Sequence, residues 1–162
     1  MSDVGPVVLI AGTSEAILIA KHALGAAFSY RAATSVDDAL SKLSPDVDLI
    51  VCNVVFDNSR MFDFIHAARL SSSGRDVPII CFRHHQRPLS AVTHSAIELA
   101  VGQFYRTSFI DLYSLSQERG VAGALALLKE AALKEMPSGG PHRPVAQALT
   151  IVGSKKALPD LN

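Results

Sequence analysis

VDLIVCN, Val47 to Asn53, is the stretch on which the fold turns. Leu49 to Cys52 is continuously apolar and ends on an uncharged amide, Asn53. A run with no polar side chain on either face predicts a strand covered on both sides, as in a parallel sheet. Upstream, SVDDALSKLSP places Val36, Ala39, Leu40 and Leu43 on one face of a helix. Ser35 and Asp38 form a capping box at its start, and Pro45 stops it. Before that, FSYRAAT alternates as a strand near the sheet edge. PVVLIAG (6–12) is a second buried strand, and TSEAILIAKHALG is a helix with Thr13 or Ser14 as N-cap and Gly25 as stop. Downstream, MFDFIHAARLSS has helical spacing at Phe62, Ile65, Ala68 and Arg69, and DVPIICF is a buried strand. LSAVTHSAIELAV is a helix from about Ser90, GQFYR a short strand, and GVAGALALLKEAALKEM the last helix. Strands alternating with helices of this length require parallel crossovers, so the chain is α/β, a five-stranded doubly wound sheet with helices on both faces.

Composition agrees. The chain has 162 residues, 49% of them hydrophobic, with no Trp, so Ala, Val, Ile and Leu must build the core. Fifteen basic residues balance fifteen acidic ones. That balance argues against nucleic-acid binding by phosphate neutralisation. Cys52 and Cys81 both lie in apolar runs and read as reduced core thiols rather than a disulfide framework. The N-terminus lacks the pattern of a secretory signal, and no stretch has the length of a membrane span. A cytoplasmic protein with no membrane partner is expected. Residues 1–136 form the domain. Residues 137–162, rich in Pro, Gly and small polar residues, read as a flexible tail in which VAQALTIVG is a possible docking segment.

The five βα units, the segment SVDDALSKLSPDVDLIVCN, the VPIICF strand and the AVGQFYR strand together resemble a response-regulator receiver domain, over roughly residues 6–136. The resemblance implies a flavodoxin-like sheet of order 2-1-3-4-5. It also implies a pocket at the carboxyl ends of the strands, where open parallel sheets gather their ligands. At that pocket this sequence departs from the family. The phosphoacceptor aspartate falls on Asn53, and the magnesium-holding acids fall on Ala11 and Gly12. The Ser or Thr ending the fourth strand falls on Arg83. The lysine ending the fifth falls on Arg106, with Thr107 in place of the following proline. An amide offers no carboxylate nucleophile, and Ala-Gly offers no hard anionic oxygen to Mg²⁺. A degenerate receiver, or pseudo-receiver, without enzymatic activity, cofactor or metal is therefore expected.

Other residues open further readings. Asp57 reads as a cap for the third helix with Asn58 and Ser59, and Glu15 as a first-turn acid of the first helix. FRHHQRP (82–88) fits no zinc spacing. With Thr13, Arg83, His84, His85, Arg87 and Arg106, it supplies a candidate surface for an anion or an acidic partner. The family resemblance places partner and dimer contacts on the fourth helix, fifth strand and fifth helix, here around His94, Ile97, Glu98 and Tyr105. The function expected is a phosphorylation-independent interaction module of two-component or phosphorelay signalling. The alternative is a flavodoxin-like domain that binds a small anion or a nucleotide, with Thr13, Asn53, Arg83 and Arg106 in its site.

Overall fold

The computed structural model describes residues 5–85 and 87–136. In chain order its elements are β1 (Val7–Ala11), α1 (Ser14–Leu24), β2 (Ser29–Ala33), α2 (Val36–Lys42) and β3 (Leu49–Asn53). A single turn, α3 (Phe56–Ser59), leads into α4 (Met61–Leu70), β4 (Ile79–Arg83), α5 (Ala91–Gly102), β5 (Thr107–Asp111) and α6 (Leu112–Glu135). All five strands are parallel, in the order β2-β1-β3-β4-β5. Every residue of β3 and β4 is buried, which is why both read as unbroken apolar runs. The edge strands β2 and β5 are mostly half-buried, each with a buried residue at its carboxyl end, Ala33 and Asp111.

The period of two along each strand divides the core. Leu9, Ile50, Cys52 and Cys81 point to one face, where α2, α4 and α5 bring Val36, Phe64, Ile65 and Val101. Val8, Ile10, Val51 and Phe82 point to the other, against Ala16, Ala20, Leu24, Ala124 and Leu128 of α1 and α6. The alanines bring α1 and α6 close to the sheet, and each fully buried Leu, Ile or Phe contributes about 1.5–3 kcal/mol. Polar staples pin the amino ends of the strands. The Asp48 carboxylate accepts from the Val7 amide at 2.8 Å. The Arg69 guanidinium donates to the carbonyls of Gly74 and Val77 at 2.6 and 2.7 Å and to that of Tyr105, tying α4 to the start of β5.

The N-caps expected of the first two helices are in place, and Ser90 caps α5 where that helix was expected to start. Thr13 accepts from Ala16 N, Ser35 from Asp38 N and Ser90 from Thr93 N. Three expectations are corrected. GQFYR is no strand: Gly102 ends α5, Gln103 and Phe104 bond back to Ala100 and Val101, and Arg106 takes a positive φ of 50° before β5 begins at Thr107. The aromatic pair imitates strand propensity, but TSFID carries the pairing with β4. The last helix starts eight residues before the expected GVAG and breaks at Gly120 (φ 80°, ψ 166°). In α4 the buried face is Met61, Phe64, Ile65 and Ala68, while Phe62 lies half-buried, stacked on Phe104 at 6.2 Å. The expected tail, 137–162 with its VAQALTIVG segment, lies outside the described residues.

Candidate functional site

The carboxyl edge of the sheet gathers Ala11 to Thr13 after β1, Asn53 after β3, Arg83 and His84 after β4, and Asp111 after β5. Asn53 is fully buried. Its Nδ2 donates to the Phe82 carbonyl at 3.2 Å and lies 3.0 Å from His84 Nδ1. Because the Phe82 oxygen can only accept, it fixes the orientation of the amide. Nδ1 of His84 is then the acceptor, and the proton sits on Nε2, 3.2 Å from Glu15 Oε1. A chain of three groups, Asn53–His84–Glu15, therefore crosses from the end of β3 to the first turn of α1. Asn53 Oδ1 is buried and has no hydrogen-bond partner among the described residues. Gly12 makes room for this packing: a Cβ there would stand 3.1 Å from Asn53 Cβ and 3.1 Å from Ala16 Cβ.

Arg83 and Asp111 face each other in register across β4 and β5. Their side chains are 8% and 3% exposed, with Arg83 Nη1 at 3.2 Å from Asp111 Oδ1 and 3.4 Å from Oδ2. The other guanidinium nitrogen donates to the Arg87 carbonyl. Asp111 also caps α6, accepting from the Ser114 amide at 3.4 Å and from its hydroxyl at 3.0 Å. Buried charges persist only when paired and hydrogen-bonded, and this pair is both. The cation at the end of β4 is thereby neutralised within the fold.

The remaining candidate residues scatter. Arg106 stands at the amino end of β5, the opposite edge from Asn53, where it donates to the Asp76 carbonyl at 3.1 Å and lies 3.5 Å from Glu135. The sequence reading placed it at the pocket because it took GQFYR as the strand. The residue that ends β5 is Asp111, legible in hindsight as an N-cap three residues before Ser114. His85 and Arg87 are exposed, and Thr13 is occupied as the N-cap of α1. Asp57 is a cap, but of another helix: Oδ2 accepts from Val36 N at 2.8 Å, at the start of α2. It reaches there from a left-handed turn in which Asp57, Asn58 and Ser59 all have positive φ. Asp and Asn tolerate that conformation, and the turn stores strain that the α2 cap offsets. His94 packs on the Phe109 ring at 5.6 Å and pairs with Glu98 at 3.4 Å; Ile97 is half-buried and Tyr105 is 63% exposed. No group of three or more His, Cys, Asp or Glu side chains placed to hold a metal occurs among the described residues.

Comparison with known proteins places the architecture. No protein-family model matches the sequence, and no curated protein matches it significantly. Solved structures match across most of the chain, and they are response-regulator receiver domains. A response regulator from Hahella chejuensis aligns with a TM-score of 0.57 at 13% identity, covering 83% of this chain and 97% of that one. The phosphorylated cyanobacterial phytochrome response regulator RcpA aligns at 0.58 and 9% identity, covering 78% and 91%. The chemotaxis response regulator CheY4 of Vibrio cholerae aligns at 0.56 and 17% identity, covering 83% and 100%. The fold is that of a receiver domain.

Proposed function

We propose that this chain, which has the fold of a receiver domain, is a signalling module that works by protein contact without being phosphorylated. The observation that carries the reading is Asn53. At the end of the central strand, where the receiver resemblance calls for a nucleophilic carboxylate, stands a fully buried amide with both its donors engaged. Ala11 and Gly12 offer no carboxylate beside it, and Arg83 is held by Asp111. The same pair weighs against the anion or nucleotide reading, since Arg83 is neutralised and Arg106 lies at the far edge.

The contact surface is the face of α5, β5 and α6. α5 has one buried residue, Val101, and leaves Val92 80% and Leu99 69% exposed, and Tyr105 in the loop that follows is 63% exposed. Such apolar exposure on one helix suits a partner protein or a second copy. No helix among the described residues is long and apolar enough to cross a membrane.

Incubation with acetyl phosphate or beryllofluoride plus Mg²⁺ tests the core of the proposal. Unchanged intact mass and unchanged amide spectra are expected. A mass gain of one phosphoryl group at this pocket refutes it.

A further inference from the structure

Between α1 and both halves of α6 lies an open cleft of about 390 Å³, adjoining the polar pocket at Thr13 and Asp57, with which it shares Ile19 and His84. We propose that this cleft is a binding site for a small uncharged aromatic or alicyclic molecule that carries a hydroxyl or amide group. The cleft exists because α6 begins early. The segment Leu112–Arg119 rises from the Asp111 cap, and the break at Gly120 turns the helix so that its second half packs on the sheet. The two halves and α1 leave a trough between them instead of closing on one another.

Its chemistry selects the ligand class. Leu18 and Ile19 of α1 face Leu112 and Leu125 of α6, giving aliphatic walls on both sides. Tyr113, Ser116 and Gln117 set polar groups along one rim, one helical turn apart. Neither the Tyr113 hydroxyl nor the Gln117 amide makes a hydrogen bond among the described residues. No Lys, Arg, Asp or Glu lines the cleft, whose ionisable side chains are His22, His84 and Tyr113, so a charged ligand meets no permanently charged partner there. The volume falls within the range of small-molecule sites, and apolar walls with a few convergent polar groups are their usual make-up. A partner protein, by contrast, needs about 800 Å² of its own surface buried. Leu18 and Val121, each 68% exposed, stand at the lips, where a bound ring covers them.

His84 gives the site a consequence. It lines this cleft and the polar pocket alike, and it holds the Asn53 amide. A ligand seated against the imidazole therefore meets the buried strand end through one side chain. The proposal does not rest on the absence of phosphorylation, since a phosphorylatable receiver could carry the same cleft.

The test is titration of the full chain with 2-naphthol, followed by amide NMR, with 2-naphthoate and 2-naphthylmethylammonium as charged counterparts. Saturable shifts at Leu18, Ser116, Gln117 and Val121 are expected, with a dissociation constant on the order of 1 mM or tighter for 2-naphthol. Ser116→Trp, which fills the trough, should weaken binding at least tenfold. Leu18→Lys, an exposed change that leaves packing intact, should weaken it severalfold, so a misfolded first variant does not blunt the test. The proposal is overturned by no saturable shift at those residues, by binding indifferent to both variants, or by tighter binding of either charged counterpart. Shifts at the cleft that depend on protein concentration without ligand also overturn it, since a second copy then fills the groove.

Discussion

At Asn53 the difference between an amide and a carboxylate is one of donors. Nδ2 donates to the Phe82 carbonyl and to His84, and a carboxylate at that position would set an anionic oxygen against a carbonyl oxygen in a fully buried place. Asn53→Asp is expected to lower unfolding free energy by about 2–4 kcal/mol in urea titrations. A protonated acid can donate to Phe82 and an ionised one cannot, so the deficit should grow as pH rises. The variant should still take no label from acetyl phosphate and Mg²⁺, because Ala11 and Gly12 remain without carboxylates. Arg83 and Asp111 make a second expectation. Arg83→Met leaves a buried carboxylate unpaired and should cost about 3–5 kcal/mol. In a urea double-mutant cycle with Asp111→Leu, the coupling should reach about 2 kcal/mol or more, with the double variant more stable than the single losses sum to. A coupling near zero would show the pair to be incidental. Asn53, Ala11 and Gly12 were legible in the sequence because an apolar run has one end. Asp111 was not, since its partner is 28 residues away and its role depends on where β5 stops.

Among the elements, those whose period is unambiguous were legible: β1, β3 and β4 as continuous apolar runs, α1 and α2 by caps that the hydrogen bonds bear out, and α5 by its start near Ser90. The fifth strand slipped by five residues because Phe104 and Tyr105 have strand propensity, yet Arg69 holds the Tyr105 carbonyl and the chain is still turning. The start of α6 was missed because LYSLSQER has a weak apolar stripe and Gly120 hides its continuity with the rest. Gly120 itself has a φ and ψ that only glycine adopts readily, with open space around it. Gly120→Ala should therefore cost about 1–3 kcal/mol through the backbone alone. Gly102→Ala, also in open space but at an ordinary helical φ, should be neutral or stabilise by up to about 1 kcal/mol. Thermal denaturation of the two variants side by side checks the contrast. Equal effects would mean that the break at Gly120 does not constrain the helix.

For the whole molecule, the sheet's interior sets the response to alkali. Cys52 and Cys81 sit side by side in β3 and β4, fully buried. Burial pushes both thiols up, Cys81 to about 12. An acid raised on folding contributes stability that is complete below its unfolded range, about 8.5 for a thiol, and is lost as pH climbs through the folded value. Unfolding free energy should thus fall between about pH 8.5 and 12, and Cys52→Ala with Cys81→Ala should flatten that slope. An unchanged slope would assign the loss to other groups. Both thiols should also resist a disulfide reagent until the domain unfolds globally. The layers were the most legible feature because they follow from the alternation of strands and helices, and the strand order came from the receiver resemblance, whereas the Asn53–His84–Glu15 chain joins residues up to 69 positions apart. With the Cβ atoms of Asn53 and Ala16 each 3.1 Å from where a side chain at Gly12 would start, an acidic residue there requires both neighbours to give by a few tenths of an ångström. The room for a metal-holding side chain at the end of β1 is thus set by how far α1 and the end of β3 can part, so substitution at Gly12 is coupled to Ala16 and Asn53.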